Sequence, residues 1–357
     1  MKHMKKFLIV KTSSLGDIIQ TFPSLGYLRS KFPEAQIDWV AEKSFAELVL
    51  SHPGVNQVYT LDSKLWRKGF FSMNHWKEIL QFRKELQGTA YDAVFDLQGN
   101  VKSGIITTLA RSQSKVGFGW KTVHEKPNIL FTNKRYDPPQ GVNIREDYLR
   151  VVKGYFGDAA SFSDPQVLLR LTPPQEKQVE QIISKPELAL GPKVMVCPGS
   201  AWPNKQLTKE ALVDFLIRLQ NHLACSFVFV WGSQAELQLA QELQTKFSPQ
   251  SILLDRLPLP ALQNLMNEMD LVVAMDSLPL HLAGTTRAAT FSVFGASLAS
   301  KFKPEGKRHL SVQGTCPYSR SFEKRCPVIR TCPTGACIRS LTGLTVFESF
   351  QKQWKSF

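Results

Sequence analysis

Near the amino terminus, the stretch KTSSLGDIIQTFPSL at 11–25 sets one carboxylate, Asp17, where chemistry is feasible. It follows the apolar run Phe7-Leu8-Ile9-Val10 and leads into apolar residues at helical spacing, so a strand, a tight small-residue turn and a helix over 17–31 are expected. Two readings of Asp17 compete. Ser14-Leu15-Gly16-Asp17 fits the capping-box pattern, in which the carboxylate only closes a helix start. A cap does not require Gly16, Thr12 or Ser13, however. Such small residues let a substrate approach the backbone and leave Asp17 to take a proton from an acceptor hydroxyl.

Further along, CPGSAWPNKQ (197–206) offers Ser200 and the cation Lys205 after an apolar run, and VAMDSLPLHLAGTT (273–286) offers Asp276, Ser277 and His281 where a helix opens. A helix start presents unpaired N–H groups, and with Lys205 opposite it would hold a diphosphate. The plain alternative makes Asp276 or Ser277 a cap and His281 a surface residue. Glu236, in FVWGSQAELQ (229–238), suits ribose hydroxyls or merely complements a helix dipole. No G-x-G-x-x-G or G-x-x-x-x-G-K-[ST] stands at these positions, which argues against a dinucleotide oxidoreductase and a P-loop enzyme. In the first half, KLWRKGFFS (64–72) and DLQGNVKSG (96–104) supply Lys64, Arg67, Lys68 and Lys102, suited to phosphate or carboxylate groups. Trp66, Phe70 and Phe71 would dock on sugar or lipid faces, or pack in a core.

These residues need a frame, and the apolar pattern predicts one. Strands at Phe7–Val10, 37–40, 55–61 and 91–96 alternate with helices at 17–31, 43–51, 74–87 and about 101–111. After a proline-rich interval containing a helix at 174–184, the alternation resumes at 193–197 and runs to a strand at 289–294. The reading is α/β, with two doubly wound parallel sheets and ligands at the carboxyl ends of the strands, in a central cleft. The expected domains are 1–165, a linker and entry helix over 166–192, 193–340, and a closing helix in 341–357 that crosses back to the first domain. At 357 residues with 43% hydrophobic composition, two cores can be filled.

The formal charge of +14 is unevenly spread. Residues 1–170 carry 24 Lys and Arg against 16 Asp and Glu; residues 171–299 carry 9 against 11; residues 300–357 carry 11 against 3. An anionic partner for the basic parts is the expectation, plain solubility charge the alternative. No apolar run is long enough for a membrane span or signal peptide, so a cytoplasmic protein is expected. Four of the six cysteines, Cys316, Cys326, Cys332 and Cys337, crowd the tail. Without a C-x-x-C they are weak metal candidates, and no metal is expected. The competing class, a basic nucleic-acid-binding protein with the cysteines as a metal module, lacks regular ligand spacing and interleaved histidine.

In this order, KTSSLGDIIQTFPSL, IDWVAEKSFAEL, WRKGFFS, YDAVFDLQGNVKSG, KVGF, CPGSAWPNKQ, WGSQAE, MDSLPLHLAG and FSVFGAS resemble the ADP-heptose lipopolysaccharide heptosyltransferases, inverting enzymes of glycosyltransferase family 9 with the two-domain GT-B fold. The likeness leans to the heptosyltransferase I type. RTCPTGACIRSL is more similar to the tail of the transferase that adds the second heptose. The resemblance implies two Rossmann-like domains, with Asp17 as general base and Lys205, Glu236, Asp276, Ser277, His281 and Ser200 on the donor. Ser14, Gly16, Arg67, Lys68, Gln98 and Lys102 would lie on the acceptor side, facing Kdo carboxylates and lipid A phosphates. It further implies ADP-heptose as donor, no required cofactor, Kdo-lipid A as acceptor, no nucleic acid, and work at the cytoplasmic face of the inner membrane. Leu278 departs from the family's glycine and puts sugar or nucleotide preference in question.

Overall fold

The computed structural model describes residues 4–63 and 73–355. The chain divides into two compact units, Met1–Arg170 and Leu171–Phe357.

The first unit is built on a six-stranded parallel sheet ordered β3-β2-β1-β4-β5-β6. Its strands are β1 (Lys6–Val10), β2 (Gln36–Glu42), β3 (Gln57–Leu61), β4 (Ala93–Asp96), β5 (Lys115–Phe118) and β6 (Lys134–Tyr136). Four consecutive apolar residues end β1 because helices cover both faces of such a sheet, so neither alternate set meets water. On one face Leu8, Val10, Val40 and Val94 pack with Phe82, Leu86 and Ile106. Elsewhere Phe7 meets the rings of Phe32, Phe95 and Phe156 at 5.2 to 6.0 Å. The register sets Val10 beside Val40 and Asp96. The chain therefore leaves β1 next to the segment leaving β4.

The second unit repeats the plan with β7 (Lys193–Cys197), β8 (Ser226–Phe229), β9 (Ser251–Leu253), β10 (Leu271–Met275), β11 (Ala289–Phe294) and β12 (His309–Gln313), ordered β12-β11-β10-β7-β8-β9. Counted from each unit's own first strand, the two orders are the same. In both, the first and fourth strands are neighbours and successive connections turn opposite ways there. Such a switch point opens a crevice at the strand ends.

The structure adds β5, β6, the helix Ile144–Tyr155 and β12 to the elements expected from sequence. The two added strands at the β6 end of the first unit's sheet have only four and three residues and carry Lys, Gly and Arg, so no apolar run announces them. The closing helix, Gly343–Trp354, corrects an expectation. Its buried stripe, Val346 and Phe350, packs within the second unit, on the helix Lys209–Leu223 and on β12, rather than crossing to the first. Phe350 meets Phe291 at 5.3 Å and Phe215 at 6.4 Å. Among the described residues no helix is long and apolar enough to cross a membrane.

Candidate active site

The switch point of the first unit carries Asp17. It sits in the first turn of the helix Leu15–Lys31, half-buried, and its Oδ2 accepts from the Ser14 amide at 3.2 Å and the Ser14 hydroxyl at 2.7 Å. The capping box is therefore formed. It also aims the carboxylate, because a side chain held at two points keeps one rotamer. The loop before it is fixed from β4's side: Gln98 Oε1 accepts from the amides of Thr12 at 3.1 Å and Ser13 at 3.2 Å.

Beneath that loop lies Lys11, a residue that sequence reasoning missed. Its ammonium is buried, donates to the Leu97 carbonyl at 3.1 Å and the Tyr148 hydroxyl at 3.0 Å, and lies 4.4 Å from the Tyr148 ring centre. Burial pulls its pKa down to about 8, against the upward pull of Asp17 and Asp96. Asp96 is fully buried and accepts from the amides of Gln98 and Gly99, the Ser103 hydroxyl and the Asn128 amide nitrogen. Burial raises its carboxyl despite those bonds. A lysine straight after an apolar strand was the available signal for Lys11.

At the switch point of the second unit, β7 and β10 bring Lys205 and Asp276 together. Lys205 ends the short turn Pro203–Lys205, and its Nζ lies 2.5 Å from Asp276 Oδ2, both side chains buried. The Ser297 hydroxyl also donates to Oδ2, and His281 Nε2 is 3.9 Å from Oδ1. Burial alone would raise the Asp276 carboxyl; Lys205, His281 and the hydrogen bonds overcome it and hold the group below its usual range. Ser200 contributes a 3.5 Å contact to the Asp276 carbonyl, and the Ser277 hydroxyl donates to the Met275 carbonyl at 3.3 Å. The helix opening here, Leu278–Ala283, has six residues, so its dipole adds little and the fixed cation is the main positive feature.

Glu236 lies in the first turn of the helix Gln234–Lys246, which follows β8. Its Oε2 accepts from the Gly232 amide at 2.7 Å, and a Cβ on Gly199 would fall 2.1 Å from its carboxyl carbon. Glycine at 199 is what allows the carboxylate to lie over the loop after β7.

The structure thus gathers Asp17, Ser14, Gly16 and Gln98 in one unit and Lys205, Asp276, Ser277, His281, Ser200 and Glu236 in the other. Lys102 lies 2.6 Å from Glu42 Oε1 and donates to the Ser63 hydroxyl at 3.2 Å. Arg67 and Lys68, with Lys64, Trp66, Phe70 and Phe71, lie outside the described residues.

Buried charge stands at both switch points. The family model for glycosyltransferase family 9 (heptosyltransferase) matches residues 79–330. The chain belongs to glycosyltransferase family 9. This heptosyltransferase-type enzyme is 27% identical over 292 residues to lipopolysaccharide heptosyltransferase 1 of Escherichia coli K12, covering 81% of this chain and 88% of the relative. It is 26% identical to the Pseudomonas aeruginosa protein of that name, covering 90% of this chain and 87% of that one. The family 9 chain also superposes on E. coli heptosyltransferase WaaC with ADP-2-deoxy-2-fluoro heptose at a TM-score of 0.75 and 24% identity, over 97% and 99% of the two chains. At that identity the likeness shows the fold, two Rossmann-like sheets of the GT-B type.

Proposed function

We propose that this heptosyltransferase of lipopolysaccharide core assembly moves heptose from ADP-heptose, with inversion, onto a Kdo residue of Kdo-lipid A. The observation that carries the reading is the buried Lys205–Asp276–His281 group at the second switch point. One carboxylate orients two nitrogen bases, one on each oxygen, where a diphosphate would lie. The sugar nucleotide in the WaaC structure supports ADP-heptose as donor. Relatives named lipopolysaccharide heptosyltransferase 1 support a lipopolysaccharide acceptor.

In this mechanism Asp17, held by Ser14, takes the proton of the acceptor hydroxyl as its oxygen attacks the anomeric carbon and the bond to ADP breaks. A positioned base contributes about 10²- to 10⁴-fold. Lys205 and His281 meet the charge that gathers on departing ADP, as fixed groups aimed at developing charge do. Glu236 takes the ribose hydroxyls; Ser277 and Ser200 line the phosphate side; Gln98 and Gly16 shape the acceptor side, where Arg67 and Lys68 meet acid groups. These side chains supply the positive charge the leaving group needs, and no cofactor enters the scheme. The acceptor's membrane would be met peripherally, on its cytoplasmic face.

The deciding experiment incubates the protein with ADP-heptose and Kdo-lipid A and weighs the acceptor. A gain of one heptose is expected; an unchanged acceptor mass overturns the reading. Leu278, which opens the helix beside Asp276 where the family carries glycine, favours one second reading, a different nucleotide sugar or the second heptose. Transfer only onto an acceptor already bearing heptose, or only from another donor, would select it.

A further inference from the structure

The turn that carries Lys205 is tied to the tail of the chain. Its backbone closes on itself: the Lys205 amide donates to the Trp202 carbonyl at 2.9 Å and the Gln206 amide to the Pro203 carbonyl at 3.1 Å. Such closure fixes the shape of the turn, not its place. A tie from outside comes through Asn204, the residue before the lysine. Asn204 is half-buried, and its Nδ2 donates to two main-chain carbonyls of the tail, Ile329 and Cys332, both at 2.9 Å. One planar amide that spends both its N–H groups in this way keeps a single orientation. On the same turn the Arg330 guanidinium lies 4.8 Å from the Trp202 ring centre, a cation–π contact. Gly335 makes room for the tie. Its φ is +57°, and a Cβ there would fall 2.5 Å from Asn204 Oδ1, so both the backbone freedom and the missing side chain of glycine are used.

The same stretch of tail reaches the other member of the buried pair. The Cys326 amide donates to the Ala296 carbonyl at 2.8 Å and the Leu298 amide to the Lys324 carbonyl at 3.0 Å, which pairs Ser297 antiparallel with Arg325 just after β11. The Ser297 hydroxyl in turn donates to Asp276 Oδ2, the oxygen that Lys205 also meets. Residues 324–332 therefore grip the lysine's turn at one end and the aspartate's serine at the other.

We propose that Asn204 is a positioning residue for the donor: by tying the Lys205 turn to this strap of tail, it sets where the Lys205 ammonium stands to receive phosphate. An ammonium bonded to one carboxylate oxygen can still swing about that oxygen. Fixing the main chain on both sides of the pair removes the swing, so the cation is already in place and little order is lost when the ligand arrives. Asn204 acts through the lysine and need not touch the ligand. The inference rests on the donor-site reading above and adds to it the residue that holds the cation still.

The test is calorimetric titration of the full chain with ADP and with adenosine. Asn204→Leu keeps the bulk of the side chain and removes both donors. Its ADP affinity should fall by about 5- to 10-fold, the scale of one lost hydrogen bond, whereas adenosine, which carries no phosphate, should bind the variant and the natural chain alike. An unchanged ADP affinity overturns the proposal, as does an equal loss for both ligands, which would mark a general distortion of the site. In a Lys205→Ala background the same substitution should cost ADP nothing more, because the group it positions is gone; a further loss of the same size there overturns it too. Lys205→Ala alone separates this inference from the reading beneath it. If that variant binds ADP normally, the donor site itself falls; if it binds ADP weakly while Asn204→Leu does not, only the positioning role falls. Should Asn204→Leu fail to fold, Gly335→Ala carries the test in its place, since its Cβ would displace the Asn204 side chain. The same selective loss of ADP is expected, and a natural ADP affinity overturns the role.

Discussion

Lys205 Nζ lies 2.5 Å from Asp276 Oδ2 with both side chains almost wholly out of water, and the two reach each other from the ends of adjacent strands, β7 and β10. Two buried charges are costly to desolvate separately and tolerable as a pair. Removing one leaves the other uncompensated. Asp276→Ala should therefore cost about 3–5 kcal/mol in urea unfolding of the second unit. The double change Lys205→Met with Asp276→Ala should recover most of that loss. A double variant as unstable as the single one would mean that the pair is not coupled.

The same lysine also bears on function. Lys205→Ala should weaken ADP by about 10- to 100-fold, the scale of one charge-assisted contact, and slow turnover. Calorimetric titration with ADP reads this directly. An unchanged affinity removes Lys205 from the donor site.

Asp17→Asn keeps the shape of the side chain and part of its cap to Ser14 while removing the base. Folding should change by no more than about 1 kcal/mol, the scale of a cap, and ADP affinity should not change. Transfer should fall by about 10²- to 10⁴-fold. Substantial transfer in the folded variant would return Asp17 to capping alone.

Much of this site was legible in sequence because its residues follow apolar runs, and in a doubly wound sheet the ends of such runs converge. The Lys205 and Asp276 loops were readable on that ground. So was the turn before Asp17, where the small residues that suggested substrate access also form the cap. The side-chain oxygen of Gln98 holds the amides of Thr12 and Ser13, a long-range pairing that no local pattern encodes. The pairing of Lys102 with Glu42, 60 positions away, likewise forms only when β2 and the residues after β4 come together. The helix Ile144–Tyr155 was passed over although its buried Tyr148, Leu149, Val151 and Val152 keep helical spacing, since charged residues interrupt them. Its Tyr148 is what secures Lys11.

Glu236 and Gly199 give a coupled prediction. An alanine at 199 would put its Cβ 2.1 Å from the Glu236 carboxyl carbon, so the carboxylate must move. Gly199→Ala and Glu236→Ala should weaken ADP to a similar extent, and together no more than either alone, since the second change finds nothing left to displace. Additive losses in ADP titration would show that Gly199 acts on something other than Glu236.

Lys11 makes a prediction about pH whose sign can be worked out. Burial lowers its folded pKa to about 8 from an ordinary 10.5, so between those values the unfolded chain holds more protons on this group than the folded one. Stability from Lys11 must then rise as pH climbs from about 8 to 10.5, and below 8 its full desolvation cost stands. A gap of that size corresponds to roughly 3 kcal/mol, at 1.36 kcal/mol per unit. Lys11→Met removes the titration but also the bonds to Leu97 and Tyr148, so the comparison is of slopes rather than absolute stabilities. Urea midpoints for the first unit, measured from pH 7 to 10.5, should rise in the natural chain relative to the variant. Parallel curves would show that Lys11 stays charged in the folded protein throughout, and that Asp17 and Asp96 compensate its burial more fully than their pull on it indicates.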